Sequence, residues 1–218
     1  MNCARCVSAA TAIVLLAGSA NAGIVPGFGD RGVHAQLGSA APTVQETADF
    51  GDWDATANAI VSVDVATASQ KSLIDGNEVS GELFASVGVF NVSPMGSAVS
   101  EFVYSFRLTE VTDFLLEADA DSGNTPGFDP RIRLTGPQGV LIEDDVEAAD
   151  SVFVDATLFP GVYTFEARVG GSEDRPGGFS AGLDFSLILE TKVIVPAPAT
   201  GIAMLGMGGL AMRRRRSA

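Results

Sequence analysis

At 218 residues with a formal charge of −14, the chain has room for one domain beside its end segments and none for two full domains. Without Arg5 and Arg213 to Arg216, 8 basic residues face 27 acidic ones, a net of −19, which excludes a phosphate-binding footprint for nucleic acid and repels anionic lipid. Both cysteines, Cys3 and Cys6, fall within the first six residues, so a body that starts after them has no disulfide framework, thiolate metal site or cysteine nucleophile.

Residues 1–22 have a short front with one charge (Arg5), an apolar run from Val7 to Ala17, and then Ala20-Asn21-Ala22 before Gly23. This is the grammar of a secretory signal peptide, with small side chains at Ala20 and Ala22 for the signal peptidase and a mature start at Gly23. The apolar run is about half the ~20 residues that a membrane span needs. Neither cysteine follows it, as a lipid-attachment cysteine would.

Residues 23–58 show no sustained period and are rich in Gly, Ala and Pro, which reads as an irregular lead-in. Residues 59–192 alternate almost throughout. Val61, Val63 and Val65 alternate with polar neighbours, and Phe102, Tyr104, Phe106 and Leu108 do the same. Ile132 and Leu134, then Val152, Val154, Ala156 and Leu158, continue the series; Tyr163, Phe165, Ala167 and Val169, and finally Leu183 to Leu189, complete it. Such alternation marks strands with one face in a core and one in water. Turn chemistry separates the runs at Asp75-Gly76-Asn77, Gly136-Pro137-Gln138-Gly139 and Phe159-Pro160-Gly161. Eight or nine strands without a convincing amphipathic helix predict an all-β, antiparallel β-sandwich.

Candidate chemistry is sparse along these strands. His34 is the single histidine and lies in the lead-in, where it reads as an exposed loop residue; one His makes neither a two-His metal motif nor a persuasive triad. Asp119-Ala-Asp121-Ser-Gly123-Asn124 opens like a calcium loop, but Gly and the fifth-position ligand are reversed and Pro130 stands where a Glu is wanted. Asp119, Asp121 and Asp129 are the weak Ca²⁺ candidates, since hard cations suit clustered carboxylates, and no other cofactor is expected. Asp49, Asp52 and Asp54 around Trp53 are weaker still, and Glu143-Asp144-Asp145 reads as a solvated acidic turn. No carboxylate pair stands out for glycosidase work, so no catalytic residue is assigned.

Residues 193–218 form a separate tail. Pro196-Ala197-Pro198 breaks the preceding strand, an uncharged run spans 199–212, and Arg213, Arg214, Arg215 and Arg216 close it. Fourteen helical residues reach only ~21 Å against a hydrocarbon core of ~30 Å, and the arginines hold the end on the cytoplasmic side. The tail resembles a PEP-CTERM sorting signal, with Ala197 where that family usually has Glu. The resemblance implies a transient inner-membrane anchor handled by an exosortase, then retention at the cell surface or release into extracellular matrix.

A second resemblance rests on Tyr104-Ser-Phe-Arg-Leu, on Asp129-Pro-Arg-Ile-Arg-Leu-Thr-Gly-Pro-Gln-Gly and on Leu158-Phe-Pro-Gly-Val-Tyr-Thr-Phe. Residues 102–189 are similar to the bacterial pre-peptidase C-terminal domain, which implies a jelly-roll-like sandwich with an accessory role and carries over no catalytic residue. Together these readings predict an exported, non-enzymatic surface or matrix protein whose partners are the secretion machinery, signal peptidase and exosortase. The alternative is a module binding extracellular polysaccharide or adhering through calcium, for which Phe84 and Phe90 are the ambiguous outward aromatics. A secreted hydrolase is third.

Overall fold

The structure is a computed structural model that describes residues 23–90, 95–122, 130–145, 151–173 and 177–191. Ala20, Ala22, Asp129, Pro196, Ala197, Pro198 and Arg213 to Arg216 lie outside the described residues, as do the leader and the apolar run 199–212. Among the described residues twelve strands follow in chain order: β1 (Ile24–Leu37), β2 (Thr43–Thr47), β3 (Trp53–Val61), β4 (Asp64–Asp75), β5 (Glu78–Val89), β6 (Gly96–Leu108), β7 (Thr112–Ser122), β8 (Arg131–Gly136), β9 (Gly139–Asp145), β10 (Ser151–Leu158), β11 (Gly161–Glu173) and β12 (Gly177–Thr191). They form two six-stranded antiparallel sheets. The first has the order β2-β1-β6-β11-β8-β9 and the second β10-β7-β12-β5-β4-β3. Among the described residues no helix is long and apolar enough to cross a membrane.

The sheets pack as a sandwich because each strand buries every second side chain. Phe102, Tyr104, Phe106 and Leu108 of β6 are buried, as are Tyr163, Phe165, Ala167 and Val169 of β11. Opposite them lie Leu83, Ala85 and Val87 of β5 and Leu183, Phe185 and Leu187 of β12. Phe185 crosses the gap to Phe102 and Phe165, with ring centroids 5.0 and 5.2 Å apart. Burying each such ring contributes roughly 1.5–3 kcal/mol. Gly81 makes room for it, since a Cβ there would sit 2.7 Å from the Phe185 ring. The three predicted turns fall between β4 and β5, β8 and β9, and β10 and β11, with Gly76 and Gly139 at φ of +56° and +110°.

Two expectations are corrected. The stretch 23–58 is not an irregular lead-in: it contributes β1, β2 and most of β3, so Trp53 belongs to the sandwich and His34 sits on a strand. Its period was hidden because the inward residues of β3 are Ala55, Ala57 and Ala59, and because β1 shifts register between Pro26 and Gly29. Val61, Val63 and Val65 are likewise not one buried face. They flank a turn with Ser62 at φ +59°, all three are exposed, and Asp64 is buried and accepts a hydrogen bond from the Phe90 amide at 2.7 Å.

Candidate functional site

The outward residues of the second sheet line up into a transverse row. Register pairs Asp54 with Lys71, Lys71 with Glu82, Glu82 with Asp184, Asp184 with Asp119, and Asp119 with Ser151. Adjacent strands lie about 4.8 Å apart, so Glu82, Asp184 and Asp119 stand side by side on neighbouring strands. A groove of about 700 Å³ crosses this row, lined by Trp53, Lys71, Leu73, Glu82, Asp119 and Asp184 among others. A second depression of about 540 Å³ shares the same row and adds Thr56, Phe84 and Asp121.

Electrostatics in the row are unfavourable to full ionisation. Partial burial, and then Glu82 and Asp119, hold the Asp184 carboxyl above the usual carboxylate range. Lys71 sits at one end of the carboxylate run, beside Glu82 and Asp54 and away from Asp119. Such a row can accept hydrogen bonds from hydroxyl groups or attract cations; it holds no histidine to act as a base, because His34 lies on the other sheet, 3.3 Å from Glu46. Two of the calcium candidates, Asp119 and Asp121, point outward from β7 into this groove. Among the described residues no group of three or more His, Cys, Asp or Glu side chains is placed to hold a metal ion.

The acids around Trp53 have a different occupant. Arg31 of β1 points inward and is fully buried, and its Nη1 donates to the Gly51 carbonyl at 2.8 Å while Nη2 donates to the Asp49 carbonyl. The guanidinium also lies 5.6 Å from the Trp53 ring centroid, within cation–π range. Burial lowers its pKa, and Asp49 and Asp52 oppose that shift. Asp49 and Asp52 thus lie near a buried arginine held by backbone carbonyls, while Asp54 belongs to the outward row beside Lys71. Nothing in the local sequence period marks Arg31, because it takes an inward position between the bulge at Pro26/Gly29 and the short alternating run of Val33, Ala35 and Leu37.

The outer face of the first sheet is charge-balanced instead. Arg168 pairs with Glu101 at 2.9 Å, Arg131 with Glu143, and Arg133 with Glu166 at 4.0 Å. Glu143 is thus an ion-pair partner on β9 rather than part of a bare acidic turn. Gly23 closes one end of the molecule: its carbonyl accepts from the Thr109 amide at 2.8 Å, and it packs against Thr191 and Glu110. Compared with known protein families and with curated proteins, the chain matches none.

Proposed function

We propose that the chain is an exported, non-enzymatic protein of the cell surface or extracellular matrix, displayed through a C-terminal sorting tail. The observation that carries this reading is the grammar of the two end stretches on either side of a body built of two antiparallel sheets. Buried Gly23 lies against Thr191, and in sequence the stretches that resemble a leader (1–22) and a PEP-CTERM tail (193–218) fall outside this pair. The chain also passes repeatedly between the sheets from β5 onward, as a jelly-roll-like sandwich would. Cell fractionation with both termini mapped by mass spectrometry tests the export reading. A mature start at Gly23 is expected, with retention impaired when Arg213 to Arg216 are made neutral. An exported chain that keeps Met1, or unchanged localisation of the neutral-tail variant, overturns it.

A second reading is favoured by the groove on the second sheet: a carbohydrate-binding or calcium-dependent adhesive module. Trp53 lines one end and Phe84, 40% exposed, flanks the acidic row. Turnover of a glycan by the purified protein would replace both readings with the hydrolase.

A further inference from the structure

Two pairs of outward residues meet in the middle of the second sheet. Register sets Glu82 of β5 beside Asp184 of β12 and, two residues along, Phe84 beside Gly182. Strands about 4.8 Å apart that rise about 3.4 Å per residue place these four at the corners of a rectangle of roughly 5 by 7 Å, close to the footprint of one sugar ring. Ser69 and Lys71 of β4 flank it on one side. The depression of about 540 Å³ lies over this rectangle.

One corner of it is bare, and folding does not ask for that. Gly182 lies within β12 and is not among the glycines with a positive φ. A Cβ there would come no nearer than 3.8 Å to the Leu83 carbonyl and 3.9 Å to that of Asp121, which is ordinary contact. Gly81 on the inner face is different, since the Phe185 ring takes the space of its Cβ. Glycine weakens a strand, and where neither conformation nor packing requires it, it marks a place that another molecule approaches closely. The missing side chain leaves a floor of backbone next to the Phe84 ring, which is 40% exposed.

We infer that this depression binds a sugar unit bearing a free amino group, with the sugar ring against Phe84 and the floor at Gly182 and its ammonium between Glu82 and Asp184. The inference rests on the carbohydrate-binding reading of the groove and names the class of sugar. Charge complementarity selects it. Along the row Asp54, Glu82, Asp184 and Asp119 face Lys71 alone, so uronate or sulfated polymers are repelled. A neutral sugar leaves the mutual repulsion of Glu82 and Asp184 in place. An ammonium between them relieves it and gains charge-assisted hydrogen bonds. A bare polyamine would bring further cations toward Lys71 and give Ser69 and Lys71 nothing to donate to, whereas the hydroxyl and ring oxygens of a sugar accept from both.

Isothermal titration of the full chain in mild detergent tests this at about pH 6, where such an amine is protonated. The probes are a glucosamine tetrasaccharide, its fully N-acetylated form and spermidine. The amino form is expected to bind at least tenfold more tightly than the uncharged acetylated one. Glu82→Gln should narrow that difference, and Phe84→Ala should weaken binding of the amino form. Gly182→Val fills the notch and should abolish binding while melting no lower than the parent, because a β-branched residue suits the strand. Equal binding of the two oligomers overturns the charge selection and leaves the carbohydrate reading standing. Spermidine matching the amino oligomer overturns the sugar, and binding of none of the three overturns both readings. A Gly182→Val protein that melts like its parent and binds the amino oligomer unchanged overturns this placement of the site.

Discussion

Asp184 stands between two other carboxylates, and that position sets the sign of its contribution to stability. Its folded-state pKa is raised by burial and by Glu82 and Asp119, so the native state holds the proton more tightly than the unfolded chain does. Above the folded pKa the ionised group destabilises the fold, and the penalty fades as pH falls toward the ordinary carboxylate value. Asp184→Asn should therefore melt higher than the parent at pH 7, by roughly a degree or two for an exposed site, and match it near pH 3. Thermal melts across that range check both ends. The acids of the row are plain in the sequence, but their alignment is not, because it depends on four separate strand registers. Asp119 and Asp121 read in the sequence as part of a loop, whereas the structure places both on β7, and Glu82 and Asp184 are far from them in sequence.

Among the elements, the passage from β2 to β3 carries the chain from one sheet to the other, and Arg31 holds it in place. Its guanidinium binds the Asp49 and Gly51 carbonyls from inside the sandwich, and Phe50 of the same loop meets Tyr104 edge-on at 6.3 Å. Arg31→Met keeps much of the apolar stem but strands two carbonyls. Charge-assisted hydrogen bonds contribute about 1.5 kcal/mol or more each, so a loss on the order of 3 kcal/mol is expected in denaturant unfolding. Element by element, strands β6, β11 and β12 were legible because aromatic and branched residues alternate along them. β1 and β3 were not, because alanines, a bulge and a buried arginine erase the contrast on which periodicity depends. The β3–β4 hairpin misled for the opposite reason: valines alternate across a turn whose inward residue is Asp64.

For the molecule as a whole, charge is partitioned between its two broad faces. The first sheet pairs Arg131, Arg133 and Arg168 with Glu101, Glu143 and Glu166, whereas the second presents Glu82, Asp119 and Asp184 with Lys71 to one side. Self-repulsion should then be a property of one face, and screening it should stabilise the fold. Raising NaCl from about 0.02 to 0.5 M, where the Debye length falls from ~20 to ~4 Å, is expected to raise the melting temperature by several degrees. Asp184→Asn should show a smaller salt response than the parent. A further rise with Ca²⁺ at matched ionic strength would favour the adhesive reading of the groove, since a ligand that binds only the folded form stabilises it by mass action.

Thr191 is the last residue of β12, and β12 lies inside its sheet, paired with β5 over 177–188 and with β7 over 181–191. A tether pulled along that strand cannot peel it away one hydrogen bond at a time. Load applied at Thr191 meets the β7 ladder first and both ladders in shear from Ile188 inward, so a protein held by this end should resist mechanical force better than its equilibrium stability alone would suggest.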